Sequence, residues 1–327
     1  MADPNTTRVF SWDGGGMRGL FEAKFMELFV QLWGIAPNEI WKYADVICGT
    51  SAGGLQALGY AAGLTPTDMV NFFVNDGPSI FSTSTVIPGI RATTLDKLAT
   101  MILGGSFYPN TNFIAKLDET FGDLTMADLK TNVVIPSYNY DTDTPTLFSN
   151  ITFPGSSGQN ELVKNVGLAT AAAPLYFPRA NFGGSNYLDG GIIKNNPSNF
   201  GYAVGQVIKP TSNRACVFSG GSGLTKIGFH DNPTPPPEES NMSFLFSLIG
   251  IGITGTQEVD AKELSLIDLY SLDNRYSYRA QTVLSLEEDT ELDNTSSEFM
   301  DYIQETAIDY FQDNITAISN FIGHLTI

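Results

Sequence analysis

A serine flanked by glycines is the feature of this sequence best suited to chemistry. Ser51 lies in the pentapeptide Gly49-Thr50-Ser51-Ala52-Gly53, between an apolar run at 44–48 and a segment with apolar residues at helical spacing. The two glycines allow the tight strand-to-helix turn that lifts a serine hydroxyl above the edge of a sheet. The pattern predicts a nucleophile for acyl transfer. The alternative is a tight turn that simply uses small residues.

A nucleophilic serine also needs donors that stabilise the oxyanion of its tetrahedral intermediate. The glycine-rich segment 13–19 follows a predicted strand and precedes a predicted helix. Its backbone N–H groups would therefore be unobstructed at a helix N-terminus, where negative charge is favoured. We expect an oxyanion hole here, with backbone donors and one positive charge. The candidates are Gly14, Gly15, Gly16, Met17 and Arg18.

The same segment also matches the Gly-x-Gly-x-x-Gly fingerprint of dinucleotide-binding proteins. Such a site needs an acidic residue at the end of the second strand, where this chain has Cys48 and then the serine turn. A P-loop would need a Gly-Lys-Ser/Thr sequence, which does not follow here. Nucleotide binding stays an alternative for this loop.

The base that activates the serine is the next question. The sequence contains two histidines, His230 and His324, and neither lies in a compact motif. Asp189 instead ends a predicted strand and is followed by two glycines that would let the chain turn back toward the serine. A carboxylate within hydrogen-bond reach can take the serine proton directly. We predict a Ser51–Asp189 dyad; the alternatives are a Ser-Asp-His triad with His230 and an ordinary turn aspartate at position 189.

These residues require a sheet whose strand ends meet at one edge. Apolar runs alternate with segments of helical periodicity, which predicts an α/β fold with three layers, α/β/α, and a mostly parallel central sheet. The predicted strands are 9–12, 44–48, 133–138, 146–149, 186–189, 215–219 and 280–286. The predicted helices are 20–32, 55–62, 66–74, 112–121, 161–172, 197–208 and 259–272.

The predicted organisation is a catalytic domain over residues 1–286 and an acidic C-terminal helix over 287–327 docked on it. The second segment lacks Lys and Arg, but apolar residues recur at helical spacing from Phe299 to Phe311. Two surface insertions are expected, a flap at about 79–107 and a proline-rich connector at 231–239. The apolar stretch 244–253 is either a buried helix or a surface that touches lipid.

Charge and cysteine content narrow the partners and the compartment. Lys and Arg number 17 against 35 Asp and Glu, a net charge of −18, so a nucleic-acid partner is excluded on electrostatic grounds. Cys48 and Cys216 lie in apolar runs, which favours buried free thiols over a disulfide. No secretory signal or apolar stretch of about 20 residues is visible. A cytoplasmic or peripherally membrane-associated protein is expected.

Taken together, the motifs resemble the patatin-like phospholipase family. The matching segments, in family order, are 13–19, 49–53, 171–178, Asp189-Gly190 and 195–197, and the resemblance covers about residues 8–208. It implies a serine–aspartate dyad, a three-layer α/β/α fold, and phospholipase A-type hydrolysis of lipid acyl esters through an acyl-enzyme.

The resemblance also implies no metal and no cofactor, and a membrane or micellar lipid as the substrate. It leaves open a protein or small-molecule activator and the oligomeric state. A catalytically silent lipid- or protein-binding member of the fold is the rival from another functional class.

Overall fold

The computed structural model describes residues 5–84, 90–93, 96–97, 100, 105–225, 257–266, 274–285 and 291–326. The predicted flap at 79–107 is therefore described in part. The proline-rich connector, the apolar stretch 244–253 and His230 lie outside the described residues.

Nine of the described strands form one twisted sheet. The central order is β10-β8-β1-β2-β3-β4-β5, and β7 pairs with β3 and with β6. Strands β10, β8, β1, β2 and β3 run parallel to one another, whereas β4 and β7 run antiparallel to β3. Strands β9 and β11 form a separate parallel pair. The strands are β1 (Thr6–Trp12), β2 (Val46–Gly49), β3 (Asn132–Asn139), β4 (Thr144–Ser149), β5 (Ser156–Ser157), β6 (Ala180–Phe182), β7 (Ser185–Asp189), β8 (Arg214–Gly220), β9 (Leu224–Thr225), β10 (Arg275–Ala280) and β11 (Val283–Leu284).

Helices cover both faces of the sheet, and local sequence sets several of their ends. Helix α1 ends at Gly34, which adopts the left-handed conformation (φ 75°) that glycine tolerates best. Helix α3 begins with a capping box between Thr65 and Asp68 and with Pro66 in its first turn. The helices are α1 (Gly19–Trp33), α2 (Ala52–Ala62), α3 (Pro66–Asn71), α4 (Gly77–Ile80), α5 (Thr111–Phe121), α6 (Val163–Thr170), α7 (Ser198–Ile208), α8 (257–266), α9 (Ser297–Asp313) and α10 (Ile315–Thr326).

Alternation along β1 divides the core between the two faces. Phe10 and Trp12 belong to the larger apolar cluster, which includes side chains of α1, α2, α9 and α10. Val9 belongs to a second cluster with Val204 of α7 and Leu264 of α8. Each face of the sheet therefore buries its own layer of helices. The predicted α/β class, with a mostly parallel central sheet between helical layers, is confirmed.

Two predicted elements differ from the structure. The last predicted strand, 280–286, is displaced: β10 ends at Ala280 and the short β11 follows at Val283–Leu284. Two arginines in β10 concealed its strand pattern, and one of them, Arg279, pairs with a buried carboxylate. The single C-terminal helix is two helices that meet at Asn314, whose side chain donates to the carbonyl of Tyr310 (2.8 Å) at the end of α9.

The two cysteines are as predicted. Cys48 and Cys216 are both buried and free. Among the described helices, none is long and apolar enough to cross a membrane.

Candidate active site

Ser51 lies at the sharp turn between β2 and α2. Its backbone adopts φ 53° and ψ −125°, a conformation that costs a non-glycine residue on the order of 1–3 kcal/mol. The turn is held in part by Thr170, whose Oγ1 accepts a hydrogen bond from the Ser51 N–H (3.1 Å). A Cβ atom at Gly49 would overlap the carbonyl oxygen of Gly53, so glycine is required there for close backbone approach. The surroundings thus fix the serine in a strained, outward-facing position.

Asp189 lies beside this serine at the end of β7. The pairing of β7 with β3 places Asp189 opposite Ser137. One carboxylate oxygen accepts a hydrogen bond from the Gly191 N–H (2.6 Å), and the Ser51 hydroxyl lies near enough to the carboxyl group to affect its pKa. Burial raises the pKa of Asp189 to about 7, although the Ser51 hydroxyl and the Gly191 N–H both act in the opposite direction. The carboxyl group is therefore balanced between its two protonation states near neutral pH.

We expect hydrolysis to follow the ionised fraction of Asp189. Only the carboxylate can accept a proton, so kcat/KM should be constant above about pH 8 and fall about tenfold per unit below about pH 6. The measurement is kcat/KM for a soluble p-nitrophenyl ester across this range. Enzyme held at each pH and then assayed at pH 8 controls for unfolding. A profile that stays flat well below pH 6 would contradict the assignment of Asp189 as the base.

The glycine-rich loop lies next to the serine, but its backbone donors are not equivalent. The Gly14 N–H donates to the Asn195 carbonyl (3.1 Å), and the Met17 N–H donates to the Leu292 carbonyl (2.8 Å). Within the described part of the chain, no acceptor is bonded to the N–H groups of the two central glycines. Of the predicted oxyanion donors, Gly15 and Gly16 therefore remain available in this structure.

Arg18 lies behind the loop. Its side chain is 5% exposed, contributes no atom to the cavity wall, and donates from Nε to the Gly15 carbonyl (3.4 Å). Burial lowers the pKa of Arg18 to about 10, so the guanidinium is still charged at neutral pH. The predicted positive charge is present, and it acts on the loop through a backbone carbonyl.

A buried ionic network anchors the start of the loop. Arg279 of β10 binds both carboxylate oxygens of Asp13, at 3.0 and 2.5 Å. The Asp13 N–H donates to Glu22 of α1 (3.0 Å). Burial raises the pKa of Asp13 to about 6 and that of Glu22 well above its ordinary value. A bidentate guanidinium–carboxylate pair is directional, so Arg279 fixes where the loop leaves β1.

A cavity of about 270 Å³ opens beside these groups. Ser51, Asp189 and the loop residues from Gly14 to Met17 form one part of its wall. Most of the remaining wall is apolar and includes Leu55, Phe73, Ile80, Phe113 and Phe177. An aliphatic chain can lie against this wall while its carbonyl group meets Ser51 and the free N–H groups.

The sequence model for "Patatin-like phospholipase" matches residues 10–199, which contain the loop, the serine turn and Asp189. The chain belongs to the patatin-like phospholipase family.

Several relatives in this family share the matched region. The chain is 34% identical over 200 residues to a cGAMP-activated phospholipase of Pseudomonas aeruginosa, with 60% of this chain and 56% of that protein aligned. It is 30% identical over 209 residues to patatin-like protein 2 of Oryza sativa subsp. indica, covering 58% and 50%. The chain thus spans about half the length of these relatives. The crystal structure of VipD from Legionella pneumophila is 14% identical, with a TM-score of 0.44, and the alignment covers 94% of this chain and 68% of that one.

His324 is the histidine of this patatin-like chain that lies within the described residues, and it is far from Ser51. His324 of α10 stacks on Tyr276 (3.5 Å between ring centroids) and contacts Arg214. Both partners lie near the amino ends of their strands, and Ser51 follows the carboxyl end of β2. Strands of six and seven residues separate these edges by about 20 Å. His324 therefore takes no part in the arrangement around Ser51.

Sequence reasoning missed several residues that hold this patatin-like site together. The Asn-Asn-Pro segment is visible in the sequence, but the hydrogen bonds between Asn195 and Gly14 are not. Thr170 gave no signal, since it lies at the end of an ordinary helix and meets Ser51 across 119 positions. Leu292 lies in the acidic segment, where nothing indicates a contact with the glycine loop.

Proposed function

We propose that this chain is a lipid acyl hydrolase of the phospholipase A type. One observation carries the proposal: Ser51 and the buried Asp189 carboxyl group line the wall of one apolar cavity, and the serine hydroxyl lies close enough to lower the pKa of that carboxyl. The family match supports phospholipase activity in general. Because the alignments span about half of the relatives, the dyad mechanism, the acyl-ester chemistry and the substrate are proposals for this chain.

In the first half of the reaction, Ser51 Oγ attacks the acyl carbonyl carbon and its proton passes to Asp189. The carbonyl oxygen becomes an oxyanion that accepts hydrogen bonds from the N–H groups of Gly15 and Gly16. As the tetrahedral intermediate collapses, the bond to the alcohol oxygen breaks. That oxygen takes the proton from Asp189 and leaves as the lysolipid or another alcohol.

In the second half, water attacks the acyl-enzyme. Asp189 accepts a proton from the water, and the same N–H groups stabilise the second oxyanion. The bond between the acyl carbon and Ser51 Oγ then breaks, the serine recovers its proton from Asp189, and the fatty acid leaves. The cycle consumes one water and needs no other reactant.

The test is a digest of defined phospholipids, with the products identified by mass spectrometry. Vesicles and mixed micelles of phospholipids with different acyl chains at the two glycerol positions identify both the bond and the position cleaved. We expect free fatty acid and lysophospholipid. Release of a phosphorylated headgroup or diacylglycerol, with no fatty acid, would contradict the proposal.

The same digest also tests whether an activator increases the hydrolysis. Relatives from Pseudomonas aeruginosa and Vibrio cholerae are named cGAMP-activated phospholipases. We propose that a small molecule also regulates this chain, and the digest is therefore run with and without cGAMP and with and without cell extract. Activity that is equal in every arm would contradict regulation, and leave the hydrolase proposal standing.

A further inference from the structure

The carbonyl oxygen of Gly14 accepts three hydrogen bonds from side chains. The donors are Asn195 Nδ2 (3.0 Å), Ser222 Oγ (2.9 Å) and Gln257 Nε2 (3.0 Å). All three side chains are buried, with at most 1% exposed. A backbone carbonyl has two lone pairs, so the three donors around this oxygen exceed its lone pairs by one.

This carbonyl belongs to the same peptide group as the N–H of Gly15. Peptide resonance links the two ends, so hydrogen bonds to the oxygen draw electron density from the nitrogen and strengthen the N–H as a donor. The next peptide repeats the arrangement. Its Gly15 carbonyl accepts from the Arg18 N–H (3.1 Å) and Nε (3.4 Å), and its N–H is that of Gly16. The two free donors of the loop thus belong to two polarised peptides.

We propose that Ser222 and Gln257 are positioning residues that orient and polarise the Gly14–Gly15 peptide for oxyanion stabilisation. The inference rests on the proposed function. Neither residue lies in the segment 10–199 that matches the family model. The part of the chain beyond the segment that matches the family model would then help to build the oxyanion hole.

Two observations favour this role over simple filling of space. Burying an amide is costly unless its hydrogen bonds are made, and Gln257 Nε2 directs both of its contacts here, to the Gly14 carbonyl and to Ser222 Oγ (3.4 Å). In addition, a Cβ at Gly15 would overlap the Ser222 side chain, so Ser222 packs directly against the loop.

The test is Gln257→Leu, which keeps the bulk of the side chain and removes the donor. Loss of one direct oxyanion donor costs roughly 10²–10³-fold in kcat, and loss of a donor that acts through the peptide should cost less, roughly tenfold. KM for the ester should stay unchanged. Affinity for a long-chain alkyl trifluoromethyl ketone, which a serine converts to an oxyanion adduct, should fall by the same factor as kcat.

Ser265→Ala, a change at an exposed serine of α8, is the control. Its kcat and its affinity for the ketone should equal those of the wild type. Ser222→Ala removes a single oxygen atom and provides the same test if Gln257→Leu does not fold. Wild-type kcat in a folded variant would overturn the inference. So would a loss of kcat with unchanged affinity for the ketone, since that indicates a structural role. Retention of the wild-type rate by Ser51→Ala would instead overturn the proposed function.

Discussion

Ser51→Ala should reduce the hydrolysis of acyl esters by about 10⁴-fold or more and leave the fold intact. Without the hydroxyl oxygen no acyl-enzyme can form, and only weak catalysis by the oxyanion donors and by substrate binding remains. The variant keeps the Cβ atom, so the strain at φ 53° is unchanged. The measurement is kcat on a p-nitrophenyl ester and on phospholipid micelles.

Ser297→Ala is the control for Ser51→Ala, because Ser297 is an exposed serine at the start of α9. It should hydrolyse both substrates at the wild-type rate. If Ser51→Ala also did so while folded, the nucleophile would lie elsewhere and the hydrolytic mechanism would be wrong.

Asp189→Asn should lower kcat by roughly 10³–10⁴-fold, since the amide cannot accept the serine proton. The side-chain oxygen can still accept from the Gly191 N–H, so the loop after β7 should keep its position.

His230→Ala should leave the rate unchanged, whereas a triad would require that histidine. A strong loss in His230→Ala would favour the triad over the dyad.

Asp189→Asn should also change the free energy of unfolding, and the size of this change should depend on pH. Burial raises the folded-state pKa of Asp189 from 3.8 to about 7. Its contribution to stability is therefore fully present below about pH 3.8 and is lost as the pH rises through about 7. Asparagine does not ionise, so Asp189→Asn should unfold at a higher denaturant concentration than wild type above pH 7. Asp309→Asn, at an exposed position of α9, should show no such gain.

The serine turn could be predicted because its constraint is local. A Cβ at Gly49 would overlap the backbone of Gly53, four positions on, and such a local contact leaves a recognisable pattern. Gly53 instead lies against the backbone of Trp12 and Asp13, about 40 positions earlier in the chain. Asp189 could be predicted for a related reason, since two glycines directly after a strand indicate a turn. The parallel sheet followed from buried runs that are apolar throughout, as in β1, where all seven residues are buried.

The hydrogen bonds made by the N–H and carbonyl groups of the glycine loop could not be predicted in this way. Its donors and acceptors are bonded by residues far along the chain; the contact between Asn195 and Gly14 spans 181 positions, and that between Gln257 and Gly14 spans 243. The bounds of strand β10 could not be predicted for a similar reason. Arg279 looks like a surface residue in the sequence, and its role as the partner of Asp13 depends on strand pairing across 266 positions.

The most direct test of the Ser51–Asp189 mechanism is covalent labelling with a fluorophosphonate, followed by peptide mass spectrometry. The mechanism predicts one phosphonyl adduct, on the peptide that contains Ser51. Labelling should be absent in Ser51→Ala and much slower in Asp189→Asn, because the base that activates the serine is missing. An adduct on a different serine, or an unlabelled Ser51 in enzyme that hydrolyses phospholipid, would contradict the mechanism.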